Sequence, residues 1–272
     1  MKLCRFQPLV FRAEEVRRSG TGGEVRPEVL TGLISGDTVR EIPGGLFGER
    51  GPGARSWRLS EAKLLPPVNP SKIVCLGRNY RQHAAELGNE VPKEPLIFLK
   101  PPSAIIAPEE PIVLPRISQR VDYEGELAVA IGRRCSQLAE SSDVRPYVLG
   151  YTCVNDVTAR DFQNLDVQFT RAKSFDTFCP MGPVIETELD LAAARIETYV
   201  NGTVKQSAPA SEMIFPVDVI IRWVSRMMTL EPGDLISTGT PAGVGPLRAG
   251  DVVEVVVSGV GTLRNPVIAQ EA

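Results

Sequence analysis

Apolar residues in this chain come in short runs broken by glycine and proline, and only a few stretches carry a helical period. Val29 to Ile42 alternates and turns at Ser35–Gly36–Asp37, which predicts a β-hairpin. A glycine-rich loop follows from Gly44 to Gly53, and Leu64–Leu65–Pro66–Pro67–Val68–Asn69–Pro70 is a cluster of breakers. The boundary is therefore placed there, with a small N-terminal β unit at 1–68 and a larger unit at 69–272. Short strands are predicted at Lys72–Gly77, Leu96–Leu99, Pro111–Leu114, Tyr123–Gly132, Leu149–Asn155, Asp234–Thr238, Asp251–Val257 and Gly261–Val267.

Three stretches read as helices. Tyr80 to Leu87 is one, with Gly88–Asn89 as its stop. Asp218 to Thr229 is another, because Val219, Ile220, Trp223, Val224, Met227 and Met228 recur at three and four residues. A third opens at Asp156, after the strand ending at Asn155, and carries Arg160 and Gln163 on the same face. Short strands with few helices predict a β-rich α+β fold without regular βαβ alternation.

Composition narrows the function. Thirty basic residues against 33 acidic ones leave a net charge of −3, with no basic run to meet nucleic acid. The longest apolar runs fall far short of the roughly 18–20 residues that cross a bilayer. The opening stretch Pro8–Leu9–Val10–Phe11 is too short for a signal peptide, and Glu14 and Glu15 follow it. The expectation is a cytoplasmic protein with neither nucleic-acid nor membrane partners. Five cysteines without a C-x-x-C pair argue against disulfides or structural zinc. With the single histidine His83, sites of the His₃ or His₂Glu kind cannot be built from one chain, so the expected metal is a hard cation held by carboxylates. No G-x-G-x-x-G or Walker loop opens a helix, and Gly243–Val244–Gly245 runs into Pro246.

The residues left for chemistry each carry two readings. Glu124 and Glu126 share one face of a strand that turns apolar at once, so they either hold a cation or face water. Asp156 suits a helix N-cap or a third metal carboxylate. His83 and Glu86, three apart on a helix, form either an oriented general base or an exposed surface pair. Lys173, between Ala172 and the Phe175–Phe178 segment, is either a desolvated partner for an anion or a snorkelling surface lysine. Only seven lysines are present, so one among apolar neighbours stands out.

Five separated motifs then occur in one order. They are Gly-Arg-Asn-Tyr-x-x-His-x-x-Glu, Glu-x-Glu-Leu-Ala-Val, Asn-Asp-Val-Thr-Ala-Arg-Asp-x-Gln, Lys-Ser-Phe-Asp-Thr-Phe-Cys-Pro-x-Gly-Pro, and Gly-Asp-x-Ile-x-Thr-Gly-Thr-Pro-x-Gly-Val-Gly. From about Ser71 to Val267 the chain resembles the fumarylacetoacetate hydrolase family, with its acylpyruvase, oxaloacetate decarboxylase and oxaloacetate tautomerase members. The resemblance implies a β-rich roll or sandwich with few helices, generally dimeric. It implies that Glu124, Glu126 and Asp156 hold Mg²⁺, or Mn²⁺, and that His83 and Glu86 form a lid-helix dyad that activates water. It implies that Lys173 is the active-site lysine, and that Arg78, Tyr80, Arg160, Gln163 and Thr240 lie by a small oxo-acid substrate. One departure is the additional metal aspartate of the full-length mammalian enzyme, which has no counterpart here and counts against fumarylacetoacetate as substrate.

The expected function is C–C hydrolysis of an acylpyruvate or decarboxylation of oxaloacetate through a metal-stabilised enolate. Keto–enol tautomerisation of oxaloacetate or isomerisation of a 5-carboxymethyl-2-hydroxymuconate-type substrate on the same site is the alternative.

Overall fold

The computed structural model describes residues 1–9, 28–49 and 51–271. Val10, Phe11, Glu14 and Glu15, weighed above as targeting signals, lie outside these residues, as does Arg50 of the glycine-rich loop. The predicted hairpin forms: Leu30–Ser35 pairs antiparallel with Thr38–Glu41, and Gly36 takes the turn at φ 58°. Strand Lys2–Pro8 pairs with Leu30–Ser35 and, at Lys2 and Leu3, with the strand Cys179–Glu186. The N-terminal strands thus extend the same twelve-stranded sheet that continues through Val148–Asn155, Gly125–Ile131, Leu235–Ser237 and Ile73–Gly77 to the edge strand Leu96–Lys100.

Every residue of Gly125–Ile131 is buried, because both faces of the sheet are covered. On one face Val129 and Ile131 meet the helix Val217–Met227 through Ile220, Ile221 and Val224. Each such side chain contributes roughly 1.5–3 kcal/mol of burial. A second sheet holds Thr203–Pro209, Arg195–Val200, Val252–Val257, Gly261–Ala269 and Ile112–Leu114. Its strand Val252–Val257 buries alternate residues, and Val255 and Val257 pack on Leu127 and Cys153 of the large sheet. This is the β-rich α+β arrangement expected from the pattern. All five cysteines are free and buried, and among the described residues no helix is long and apolar enough to cross a membrane.

Three expectations need correction. The strand predicted at Tyr123–Gly132 is two strands, Val121–Tyr123 in a small three-stranded sheet and Gly125–Ile131 in the large one. Glu124 sits where the chain changes sheet, and a Cβ at Gly125 would fall 2.0 Å from Thr198 Oγ1. The helix expected to open at Asp156 begins at Arg160 instead, because Thr158–Ala159 pairs with Val121–Asp122 first. Asp156 is therefore not its N-cap. Strands at Cys179–Glu186 and Arg195–Pro209 were not anticipated; prolines 180 and 183 and Gly182 read as breakers, and Thr203, Val204 and Lys205 are all exposed.

One connection positions the site. Ile73–Gly77 runs parallel to Leu235–Ser237, so the two strands end side by side. Asn79 ties those ends together: its Nδ2 donates to Thr238 O at 2.8 Å and Phe215 O at 3.0 Å, and its Oδ1 accepts Phe215 N–H at 2.8 Å.

Candidate active site

Glu124, Glu126 and Asp156 converge. One carboxylate oxygen of each lies within 4.8 Å of the others, and all three side chains are buried. Backbone pairing makes this possible: Gly125 stands opposite Asn155, Glu124 N–H donates to Asn155 Oδ1 at 2.9 Å, and Asp156 N–H donates to Glu124 O at 2.8 Å. Burial removes the reading of Glu124 and Glu126 as a solvated sheet face.

Three carboxylates out of water would cost several kcal/mol each without compensation. Three buried cations supply it for Glu124 and Asp156. Lys173 Nζ reaches Glu124 Oε2 at 2.7 Å and Asp156 Oδ2 at 2.6 Å. Lys100 Nζ reaches Asp156 Oδ1 at 2.6 Å. Arg160 contacts Glu124 and Gln163, while its Nε donates to Asp122 at 2.9 Å. Lys173 also lies 5.0 Å from the centre of the Phe98 ring.

The environments split the two glutamates. Burial pushes Glu124 upward, but Lys173 and Arg160 outweigh it and hold the carboxyl below its usual range. Glu126 goes the other way: burial and the neighbouring Asp156 drive it well above its usual range. That happens although its Oε2 accepts Ser237 O–H at 2.5 Å and Gly239 N–H at 2.8 Å. Burial alone would lower Lys173, yet Asp156 and Glu124 keep its ammonium above its ordinary value.

A donor set of three carboxylates without histidine or cysteine is that of a hard divalent cation. An elevated Glu126 fits the same purpose, since its charged form lacks a cation of its own among the described residues. The residues present thus fit such an ion.

Above these carboxylates opens a cavity of about 1140 Å³. Arg78, His83, Glu124, Glu126, Arg160, Gln163, Lys173 and Thr240 all line it, so residues up to 162 positions apart are brought together. Thr240 is held by Gln206 Nε2 at 2.7 Å and donates to Gly125 O at 2.8 Å. His83 is buried, not exposed, and its Nδ1 lies 3.3 Å from Glu86 Oε2. Glu86 sits behind it, outside the cavity wall. Tyr80 is not in the wall either; its ring packs into the core and its hydroxyl finds no partner among the described residues.

Sequence reasoning missed Lys100, Asp122, Ser237 and Gly239. Lys100 carried a signal, since it ends the apolar run Leu96–Leu99 and is one of seven lysines. The other three belong to the site only through contacts far along the chain.

Residues 72–268 match the family described as fumarylacetoacetate (FAA) hydrolase C-terminal, and residues 24–67 match the Rv2993c-like N-terminal family. The chain belongs to the fumarylacetoacetate hydrolase family. Protein Rv2993c of Mycobacterium tuberculosis is 51% identical over 234 residues, covering 85% of this chain and 88% of that one. Oxaloacetate tautomerase YisK of Bacillus subtilis is 42% identical over 79% of this chain and 76% of its own length. Among solved structures, the 5-carboxymethyl-2-hydroxymuconate delta-isomerase of Mycobacterium smegmatis superposes with a TM-score of 0.87 at 41% identity, covering 99% of this chain and all of that one. Membership in this enzyme family makes the chain an enzyme acting on small molecules.

Proposed function

We propose that this enzyme moves a proton on the carbon next to the keto group of a 2-oxo acid, as a tautomerase or isomerase. The observation that carries the reading is the floor of the cavity, where three buried carboxylates interleave with Lys100, Lys173 and Arg160. The activities named for YisK and for the Mycobacterium smegmatis isomerase support it. Glu124, Glu126 and Asp156 would hold Mg²⁺ or Mn²⁺. Bound there, the ion supplies Lewis-acid polarisation of the keto oxygen.

The chain's own groups do the rest. Lys173 sets a positive charge beside the oxygen that becomes negative in the enolate. Arg160, Gln163 and Thr240 orient the substrate. His83 takes or returns the proton at Nε2 while Glu86, 3.3 Å from Nδ1, orients the ring. The burial of His83 beside Glu86 also supports a second reading, in which the pair deprotonates water and the C–C bond of an acylpyruvate is hydrolysed. Decarboxylation of oxaloacetate would use the same enolate without water.

The test follows enol absorbance and pyruvate release in parallel, with Mg²⁺, on oxaloacetate and acetylpyruvate. Enol decay above the spontaneous rate, without pyruvate and abolished by EDTA, supports the tautomerase reading. EDTA-sensitive pyruvate release moves the assignment to hydrolysis or decarboxylation. In either case His83→Ala should abolish turnover and leave metal binding intact.

A further inference from the structure

Six basic side chains line the cavity: Lys72, Arg78, His83, Lys100, Arg160 and Lys173. Lys72 pairs with Asp234, and Lys100, Lys173 and Arg160 pair with the carboxylates at the floor. His83 stands against Glu86. Arg78 alone in this set has no carboxylate partner among the described residues.

Its backbone is also unusual. Arg78 lies at φ 61°, the left-handed region where glycine is the easy choice. The conformation is imposed from the next residue. Asn79 is fully buried and fixed at both ends of its side chain, and its carbonyl accepts Ile214 N–H at 2.8 Å. A guanidinium kept at a strained position in a cavity wall is a mark of function.

The position is close to the floor. Asn79 binds Thr238, and the next residue, Gly239, donates to Glu126. On the other side, Gly77 pairs with Leu96 and Leu76 with Ile97, all of which line the cavity. A negative group entering there finds apolar walls and, among the described residues, one cation without a carboxylate partner.

We propose that Arg78 binds the second carboxylate of a dicarboxylic 2-oxo acid and so selects such acids over monocarboxylic ones. The inference rests on the reading above, in which the 2-oxo-carboxylate end of the substrate meets Glu124, Glu126 and Asp156. An ion pair formed out of bulk water is expected to favour the dicarboxylate by about ten- to a hundred-fold.

Arg78→Gly removes the guanidinium at a φ that glycine adopts freely, so the variant should melt no lower than the wild type. Arg78→Lys keeps a charge. Binding of 2-oxoglutarate and 2-oxopentanoate, equal in chain length, is measured by calorimetry on the Mg²⁺-loaded full chain. The wild type should prefer 2-oxoglutarate by about ten- to a hundred-fold, Arg78→Gly should bind both alike, and Arg78→Lys should fall between. Turnover should follow the same order for oxaloacetate enol against phenylpyruvate enol, mostly through KM. A preference that survives in Arg78→Gly, or an equal loss for both acids, overturns the proposal. Failure of the wild type to turn over either enol would overturn the parent reading instead, while the binding comparison still decides the role of Arg78.

Discussion

Both carboxylate oxygens of Glu86 reach the backbone N–H of Gly243, at 3.1 and 3.2 Å. The same glycine accepts Tyr123 O–H at 2.9 Å. The short helix Arg81–Glu86 is thereby fastened to the loop after Thr240, and His83 is held over the floor of the cavity.

That fastening predicts two separable variants. Glu86→Gln keeps an oxygen for Gly243 but removes the charge beside His83, so turnover should fall by about ten- to a hundred-fold with little change in melting temperature. Gly243→Ala should lose both activity and stability. Its φ is 103°, and a Cβ would meet Lys205 O at 2.1 Å. Steady-state rates and thermal melts check the pair; full activity in Glu86→Gln would reduce Glu86 to a tether.

Glu126→Gln should separate stability from metal binding. The substitution removes a buried charge that the fold disfavours, so the metal-free variant should melt at or above the metal-free wild type. The rise in melting temperature caused by Mg²⁺ should vanish with it. A variant that loses stability without metal and keeps the Mg²⁺ response contradicts the assignment of Glu126 as a ligand.

The elevated Glu126 also fixes a pH dependence. Its folded value lies above the unfolded one, so its contribution to stability is full at low pH and is lost as pH rises through the folded value. Metal-free protein should therefore weaken as pH climbs above the ordinary carboxylate range, and Mg²⁺ should offset that loss. Binding of Mg²⁺ should release a proton, seen as a buffer-dependent heat in calorimetry. Identical heats in buffers of different ionisation enthalpy would count against it.

Asp234 predicts the acid limb. It is fully buried and accepts Ser71 N–H at 2.9 Å, Ser71 O–H at 2.7 Å and Glu231 N–H at 2.8 Å, besides the Lys72 ammonium. Burial pushes its carboxyl up, but these donors outweigh burial and hold it below the usual range. With a lowered folded value, its stabilisation is present above the unfolded value of about 3.9 and lost as pH falls through the folded one. Asp234→Ala should cost about 3 kcal/mol, read as the denaturation midpoint in urea.

Much of this was legible in the sequence, for physical reasons. Local periodicity located the helix around Ile220 and the strand Val252–Val257, because each presents a strongly apolar face. The spacing of Glu124 and Glu126 and of His83 and Glu86 likewise gave pairs that meet. Asp156 was harder, since its partners Lys100 and Lys173 lie 56 and 17 residues away. The break at Glu124 was hidden because Val121 to Ile131 reads as one continuous strand, and only a second sheet forces the chain to switch. The contact of Ser237 and Gly239 with Glu126 spans more than 110 positions and leaves no local pattern.

The parallel pair Ile73–Gly77 and Leu235–Ser237 also bears on how the protein folds. Its closing contact, Asp234 with Ser71, joins segments 163 residues apart. Long-range pairing of this kind is slow to nucleate, because loop-closure entropy must be overcome before the contacts form. Closing the cavity floor therefore carries the entropy cost of a long loop. A cation held by Glu126 would find its ligands together only once that loop has closed, and so would add its binding energy to the finished fold.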